Sequence, residues 1–523
     1  MEPRIASAVR FGCLRSVTGP RLRRVLAVTA ALVAVSVVAG RSADSTYSAI
    51  QLQLADLLVA EERFGGAHEA YQRAREGATE DQLFRARRGS VLSLLRLARF
   101  AEAKVEADLA RAESPDDPET LALSGDALWA VGLFDEAEAT FRELLARAPE
   151  VARGHHGLAK SLMSRNRLDA ALEASQRALS LLPRDGEFHH TVGTIYKRMH
   201  RYEEAAVAFG NYVNLLPNKQ QSDRAAWSRA QIRFLRSFGS RVPFHMEPDV
   251  AEKLHTVSFR LIRDKIVVKA SVNGGRALDF VVDTGAEQTT LSRYVAQRSG
   301  VNPIVYTLSA GVGEIGLRGL QIARIDSLEI GSLRIDNLPG LVKNPELTGI
   351  PRREAESFSP LAAGLSMTID YERRRLTFGR RIPPESVAAD VELPMRQHRL
   401  VTVRGRVNDQ YASFVVDTGG EVISISSDTA SSLSYRPMRR VPLRVYGSSG
   451  WEPDAFLLPG VNLMFKTIEF SNYPVAVLNL RAPSALLGFQ IGGILGHTFL
   501  RGYRVTIDLE QSTLQLHERR SEG

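Results

Sequence analysis

Between about residue 48 and residue 220, apolar positions fall at helical spacing, and the whole pattern repeats every 34 residues. Leu94, Leu128, Leu162 and Tyr196 mark one such step, and Phe100, Phe134, Leu168 and Tyr202 another. Small residues recur in register at Ala103, Ala137, Ala171 and Ala205 and at Gly125, Ala159 and Gly193. Pro115, Pro149, Pro183 and Pro217 close each unit. An earlier copy carries Ala55, Leu58, Phe64, Ala67 and Tyr71, offset by two extra residues. The pattern predicts pairs of helices, with small residues where two helices of a pair approach and large apolar ones between pairs. Pro ends each second helix. Ser222 to Phe238 predicts one more helix that shields the last pair. After Pro243 the helical period stops and alternating segments begin, which predicts strands.

The strand-rich part is itself duplicated. Phe280-Val281-Val282-Asp283-Thr284-Gly285-Ala286 matches Phe414-Val415-Val416-Asp417-Thr418-Gly419-Gly420. Each follows a hairpin-turn signal, Asn273-Gly274 and Asn408-Asp409. Each precedes a short run rich in Ser, Thr and β-branched residues, Thr289–Ser292 and Val422–Ser426. Met367–Tyr371 and Val505–Leu509 end the two copies, which span about 250–380 and 390–523.

Two resemblances follow. The 34-residue unit resembles the tetratricopeptide repeat, in five copies starting near 48, 84, 118, 152 and 186. The doubled apolar-apolar-Asp-Thr-Gly motif, with Gly493-Ile494-Leu495-Gly496 about 80 residues after the second copy, resembles the retropepsin-like aspartic peptidases. The fold class implied is multidomain: an all-α solenoid over 45–240, then an all-β two-lobed double barrel. The resemblance implies that Asp283 and Asp417 meet at a pseudo-two-fold axis. Two carboxylates about 3 Å apart cannot both ionise and hold one proton between them. It further implies that Thr284 and Thr418 reach across to lock the two loops, and that Gly285 and Gly419 leave room for their approach. The activity implied is hydrolysis of peptide bonds by a water between the aspartates. A non-catalytic peptide-binding or scaffold protein of the same fold is the alternative. No metal, nucleotide or organic cofactor is implied. The concave face of a solenoid suits an extended peptide, so the array is expected to take a substrate or a partner protein.

The copies depart from the pattern in two places. Read by its glycine, the trailing motif of the first copy is Ala362-Ala363-Gly364, only four residues before Thr368; Gly496 stands ten before Thr506. Six residues, about one short helix, are then missing from the first lobe. Gly420 stands where the first copy has Ala286, which adds backbone freedom to a loop that needs rigidity.

Gly311-Val312-Gly313-Glu314-Ile315-Gly316 matches a dinucleotide-binding fingerprint. That motif requires a strand-to-helix turn, and the residues after it alternate as a strand. Gly311, Gly313 and Gly316 are therefore read as a hairpin tip, placed where the resembled family has its flap over the substrate. The corresponding stretch of the second copy ends in Trp451, a candidate substrate contact or packing residue. His155-His156 and His189-His190 also recur at the repeat step. The first of each pair is expected to pack and the second to face the groove. No further His or Cys joins them as metal ligands.

The composition is that of a globular protein, 44% hydrophobic and 24% charged, which excludes wholesale disorder. At 523 residues the chain has room for three or four domains. Its net charge of +8 invites a nucleic-acid reading until the charges are located. Residues 1–24 carry six Arg and one Glu, and residues 25–40 carry no charge, so only +3 is left for the rest. A basic segment before an apolar run reads as an export signal or a retained membrane anchor over 1–40. The remainder is expected in the periplasm or another extracytoplasmic space, soluble or anchored. Cys13 is the single cysteine, which excludes a disulfide framework. No basic-aromatic patch suggests nucleic acid. The linker from Arg380 to Asp390 is a candidate for self-cleavage.

Overall fold

A computed structural model describes residues 45–217, 219–312, 317–343, 356–384, 388–433, 441–447 and 450–519. Residues 1–40, expected to be an export signal or anchor, lie outside the described residues, as do Gly313, Gly316 and part of the Arg380–Asp390 linker.

The helices come in five pairs: 45–60 with Phe64–Arg73, Glu80–Arg96 with Phe100–Glu113, Pro118–Ala130 with Phe134–Arg147, Ala152–Ser164 with Leu168–Leu181, and Gly186–Arg198 with Tyr202–Leu215. The first helices of several pairs start on side-chain caps. Asp117 accepts from Thr120 N, with Pro118 in the first turn. Asp185 accepts from Glu187 N and Phe188 N, and Thr79 with Gln82 forms a capping box. The last four second helices end two residues before Pro115, Pro149, Pro183 and Pro217. A side chain on Gly125 or Gly157 would overlap the Phe141 ring, and one on Gly193 would meet Phe209. Small residues thus set the spacing of the solenoid, as its repeat pattern requires.

Each lobe is a closed six-stranded barrel. In the first, the order is Lys265–Val272, Leu278–Val282, Ser357–Phe358, Thr289–Ser292, Leu333–Lys343 and Leu317–Ile330, closed by Ser271 opposite Glu329. In the second it is Val401–Val407, Gln410–Val416, Gly493–Leu495, Ser424–Ser426, Ile468–Leu478 and Phe456–Phe465, closed by Arg406 opposite Met464. Both predicted hairpin turns form, with Asn273, Gly274 and Asn408 at positive φ. Asn273 Oδ1 accepts from Ser327 N, and Asn408 Oδ1 accepts from Asn462 N, so each turn is tied to a neighbouring strand in the same way.

A six-stranded sheet joins the lobes, three strands from each copy. At its centre Ser366–Asp370 runs antiparallel to Tyr503–Asp508, with Thr368 opposite Thr506. Their hydroxyls lie 2.9 Å apart, on the pseudo-two-fold axis.

The array packs on the lobes. Trp129 and Phe134 share an apolar cluster with Val415, Phe489 and Ile491 of the second lobe. Buried Arg396 bridges to Glu138 at 2.9 Å and to Asp135. Asp223–Arg236, expected only to shield the last pair, does more. Its Phe234, with Phe238 just beyond it, sits between Tyr202 and Phe209 of the array and Val305 and Ile322 of the first lobe. Trp227 Nε1 donates to Thr307 Oγ1 of that lobe at 2.8 Å.

Candidate active site

Asp283 and Asp417 each stand just past the end of a strand, Leu278–Val282 or Gln410–Val416, and face the loop of the opposite lobe. Each backbone N–H is fixed by the strand alongside: Asp283 N donates to Phe358 O at 2.9 Å and Asp417 N to Leu495 O at 3.0 Å. Each carboxylate also accepts from the glycine two residues on, Gly285 N at 3.0 Å and Gly419 N at 2.7 Å.

The threonines lock the loops reciprocally. Thr284 N donates to Thr418 Oγ1 at 3.1 Å, and Thr418 N to Thr284 Oγ1 at 3.0 Å. Each hydroxyl then donates across the axis, Thr284 to Val416 O at 2.8 Å and Thr418 to Val282 O at 2.7 Å. Both side chains are buried, so these bonds are sheltered from water. The glycines matter by close approach. A Cβ on Gly285 would lie 2.4 Å from Asp417 Cγ, and one on Gly419 would lie 2.8 Å from Asp283 Oδ1.

The two loops bring the carboxyl groups together, each beside the glycine of the other loop, so their protonation is linked. Burial first, and the Asp417 charge second, push Asp283 up to about 7. Burial also raises Asp417, against the N–H groups of Gly419 and Gly420 that favour its charge. A pair holding one proton has an acceptor and a donor side by side, ready for opposite proton transfers at one carbonyl.

The trailing motif of the first lobe is not where its glycine suggests. Val281 and Val282 pair in parallel with Ser357 and Phe358, just as Val415 and Val416 pair with Ile494 and Leu495. Glu356-Ser357-Phe358-Ser359 therefore corresponds to Gly493-Ile494-Leu495-Gly496. Ser359 stands nine residues before Thr368, against ten from Gly496 to Thr506, so the lobe is one residue shorter and not six. The 3-10 turn Leu361–Ala363 replaces the short helix His497–Leu500. Ser359 Oγ donates to Ala286 O at 2.6 Å, which ties this segment to the Asp283 loop. Gly420 does not loosen its loop either. Its carbonyl accepts from His497 N at 2.8 Å, and a Cβ there would approach Asp417 Oδ2 to 3.0 Å.

Gly311 opens the tip of the hairpin made by Pro303–Ala310 and Leu317–Ile330. Trp451 lies opposite Tyr446 in the short ribbon Val445–Gly447 with Gly450–Glu452 and is partly exposed. The two tips meet: a Cβ on Gly447 would fall 2.0 Å from Val312 O. The histidine pairs divide differently from expectation. His155 and His189 are not packed inside; their Nε2 atoms bond the carbonyls of Pro149 and Pro183 at 2.7 and 3.0 Å. His156 and His190 face the groove.

Sequence reasoning missed Glu287, Arg399, Lys197 and Trp227 beside the cleft. Arg399 pairs with Glu287 at 3.5 Å and lies over Trp227. Glu287 could have been found from its place two residues after Gly285. The array residues carry no such signal, because their role depends on how the array docks.

Two family models match the strand-rich part. The gag-polyprotein aspartyl protease model covers residues 268–350, and the aspartyl protease model covers 403–499, one on each lobe. The C-terminal half thus has an aspartyl-protease fold. No curated protein is significantly similar to the chain. Among solved structures, a thermophilic tetratricopeptide protein of Thermus thermophilus is 18% identical over 35% of this chain and 98% of its own, with TM-score 0.31. MamA from Desulfovibrio magneticus is 19% identical over 34% and 98%, with TM-score 0.24. The repeat assignment itself rests on the 34-residue period and the five helix pairs.

Proposed function

We propose that the chain is an exported aspartic endopeptidase in which Asp283 and Asp417 activate a water between them. The observation that carries this reading is the close approach of the two buried Asp-Thr-Gly loops, each glycine against the opposite aspartate and each threonine bonded to the other. The ionised carboxylate takes a proton from the water, whose oxygen attacks the scissile carbonyl carbon. The protonated carboxyl gives its proton to the carbonyl oxygen. As the tetrahedral intermediate collapses, a proton passes to the leaving nitrogen, the C–N bond breaks, and the pair is restored to one shared proton. Thr284, Thr418, Gly285 and Gly419 hold the geometry, and the hairpin tips at Gly311 and Trp451 cover the substrate. The array recruits a protein substrate or a partner. The basic and apolar segment before residue 41 directs export, as a cleaved signal or a membrane anchor.

The loss of six residues that favours a non-catalytic protein reduces to one, and Ser359 restores the support. The purified protein should cleave members of a peptide library, and a statine-type inhibitor should stop it by occupying the water's position. Cleavage insensitive to that inhibitor contradicts the mechanism. Cell fractionation checks export: recovery in the cytoplasm overturns that part.

A further inference from the structure

A cavity of about 1080 Å³ opens between the array, a stretch of the second lobe around Gln397 and Leu486, and the lobe that carries Asp283. Its lobe wall begins one residue past that aspartate, at Thr284, and continues through Ala286, Glu287 and Gln288. The corresponding Glu421 and Val422 of the other lobe are exposed to solvent. The array therefore covers the residues that follow Asp283 and leaves those that follow Asp417 exposed. The volume is at the upper end for a ligand site, enough for several residues of an extended chain.

The charges lining this cavity do not balance. Seven Lys and Arg side chains face four carboxylates. Three of the four carboxylates are already matched: Glu187 by Arg96 at 3.0 Å, Glu287 by Arg399 at 3.5 Å, and Glu510 by Arg381 at 3.2 Å. Lys160, Lys197 and Arg198 have no ion pair among the described residues. Lys160 lies over the Trp129 ring at 4.7 Å. The Arg198 guanidinium donates only to neutral oxygens, those of Met163, Asn166 and Gln397. Lys197 makes no hydrogen bond among the described residues. Gln288 Oε1 at the same wall is buried without a partner among the described residues, an acceptor that a peptide N–H would satisfy. Burial, and then the Arg399 charge, push Lys197 down to about 8 against the pull of Glu287, a carboxylate that Arg399 already pairs. Burial holds His156 and His190 neutral. An entering anion is the missing partner, because a sheltered cation gains most from a carboxylate.

We propose that this cavity receives one flank of the polypeptide substrate and binds a carboxylate there through Lys197, with Lys160 and Arg198 adding to its field. The proposal rests on the peptidase reading and makes the array part of the substrate site. The carboxylate is either an acidic side chain or the chain's own C-terminus.

The test measures binding of fluorescent peptides to the full chain carrying Asp283→Asn, so that no turnover is needed. One peptide has an internal Asp and an amidated end, a second has Asn in its place, and a third has Asn with a free C-terminal carboxylate. At least one acidic peptide should bind about tenfold tighter than the neutral one. Adding Lys197→Met should erase that preference, whereas Lys197→Arg should keep it. The peptide that shows the preference identifies the source of the carboxylate. Equal binding of all three, or a preference that survives Lys197→Met, overturns the proposal. A preference intact in a protein whose wild-type form cleaves nothing overturns the peptidase reading and leaves this one standing.

Discussion

The proton shared by Asp283 and Asp417 should register in stability as well as in rate. Burial raises both groups, so the native state binds more protons than the unfolded chain. Stability must then fall as pH rises from 3.8 through about 7. Asp283→Asn removes that cost and should raise stability at pH 8 by about 1 kcal/mol or more, with little gain at pH 4. Thermal melts at the two pH values check this, and an equal effect at both contradicts it. Thr418→Val removes the acceptor of Thr284 N–H and the donor to Val282 O, both buried. It should cost ~2–4 kcal/mol by denaturant titration. Gly285→Ala drives a methyl into Asp417 and should abolish cleavage while leaving the array folded, as read by peptide assay and circular dichroism.

At the scale of elements, one turn recurs in every repeat. Glu62, Ala98, Gly132, Asn166 and His200 all have positive φ, two residues before the second helix of their pair. Gly132 is the glycine among them, and a Cβ there would press on Ser413 at 3.0 Å and Gln490 O at 3.2 Å, where the array meets the second lobe. Ala98 has no such duty, so Ala98→Gly should relieve its left-handed backbone and stabilise the array by ~0.5–1 kcal/mol in thermal melts. The helices were legible in the sequence because packing of each pair demands the same small and large residues every 34 positions. The Asp-Thr-Gly loops were legible because close approach across the axis leaves glycine no substitute. The trailing strand of the first lobe was not. Gly496 is required where a Cβ would strike Val422 O at 2.5 Å. The first lobe accepts Ser359 there and uses its hydroxyl, so a search for glycine led to Gly364, which lies past the strand.

At the scale of the molecule, the array and lobes are held by a buried ionic knot. Arg396 and Glu138 are 7% and 10% exposed, with Arg165 also on Glu138 at 2.8 Å. Burial pushes Glu138 up, but Arg165, Arg142 and Arg396 overcome it and hold it at about 2. Its contribution is present above its ordinary 4.5 and is lost as pH falls toward about 2, so the docked form should survive mild acid. Arg396→Met leaves Glu138 with less compensation and should destabilise by ~3 kcal/mol. Calorimetry should show one transition for array and lobes in the wild type and two in this variant. None of this docking was legible in the sequence, because the partner of Arg396 lies more than two hundred residues away in an unrelated pattern.

The shared proton makes a sharper demand on rate. Asp283→Asn, Asp417→Asn and the double variant are compared with the wild type for cleavage of one peptide, followed by mass spectrometry. Residues acting as one unit lose activity non-additively. Each single variant should fall by about a thousandfold or more, and the double should be no worse than either. A single variant that keeps the wild-type rate contradicts the account.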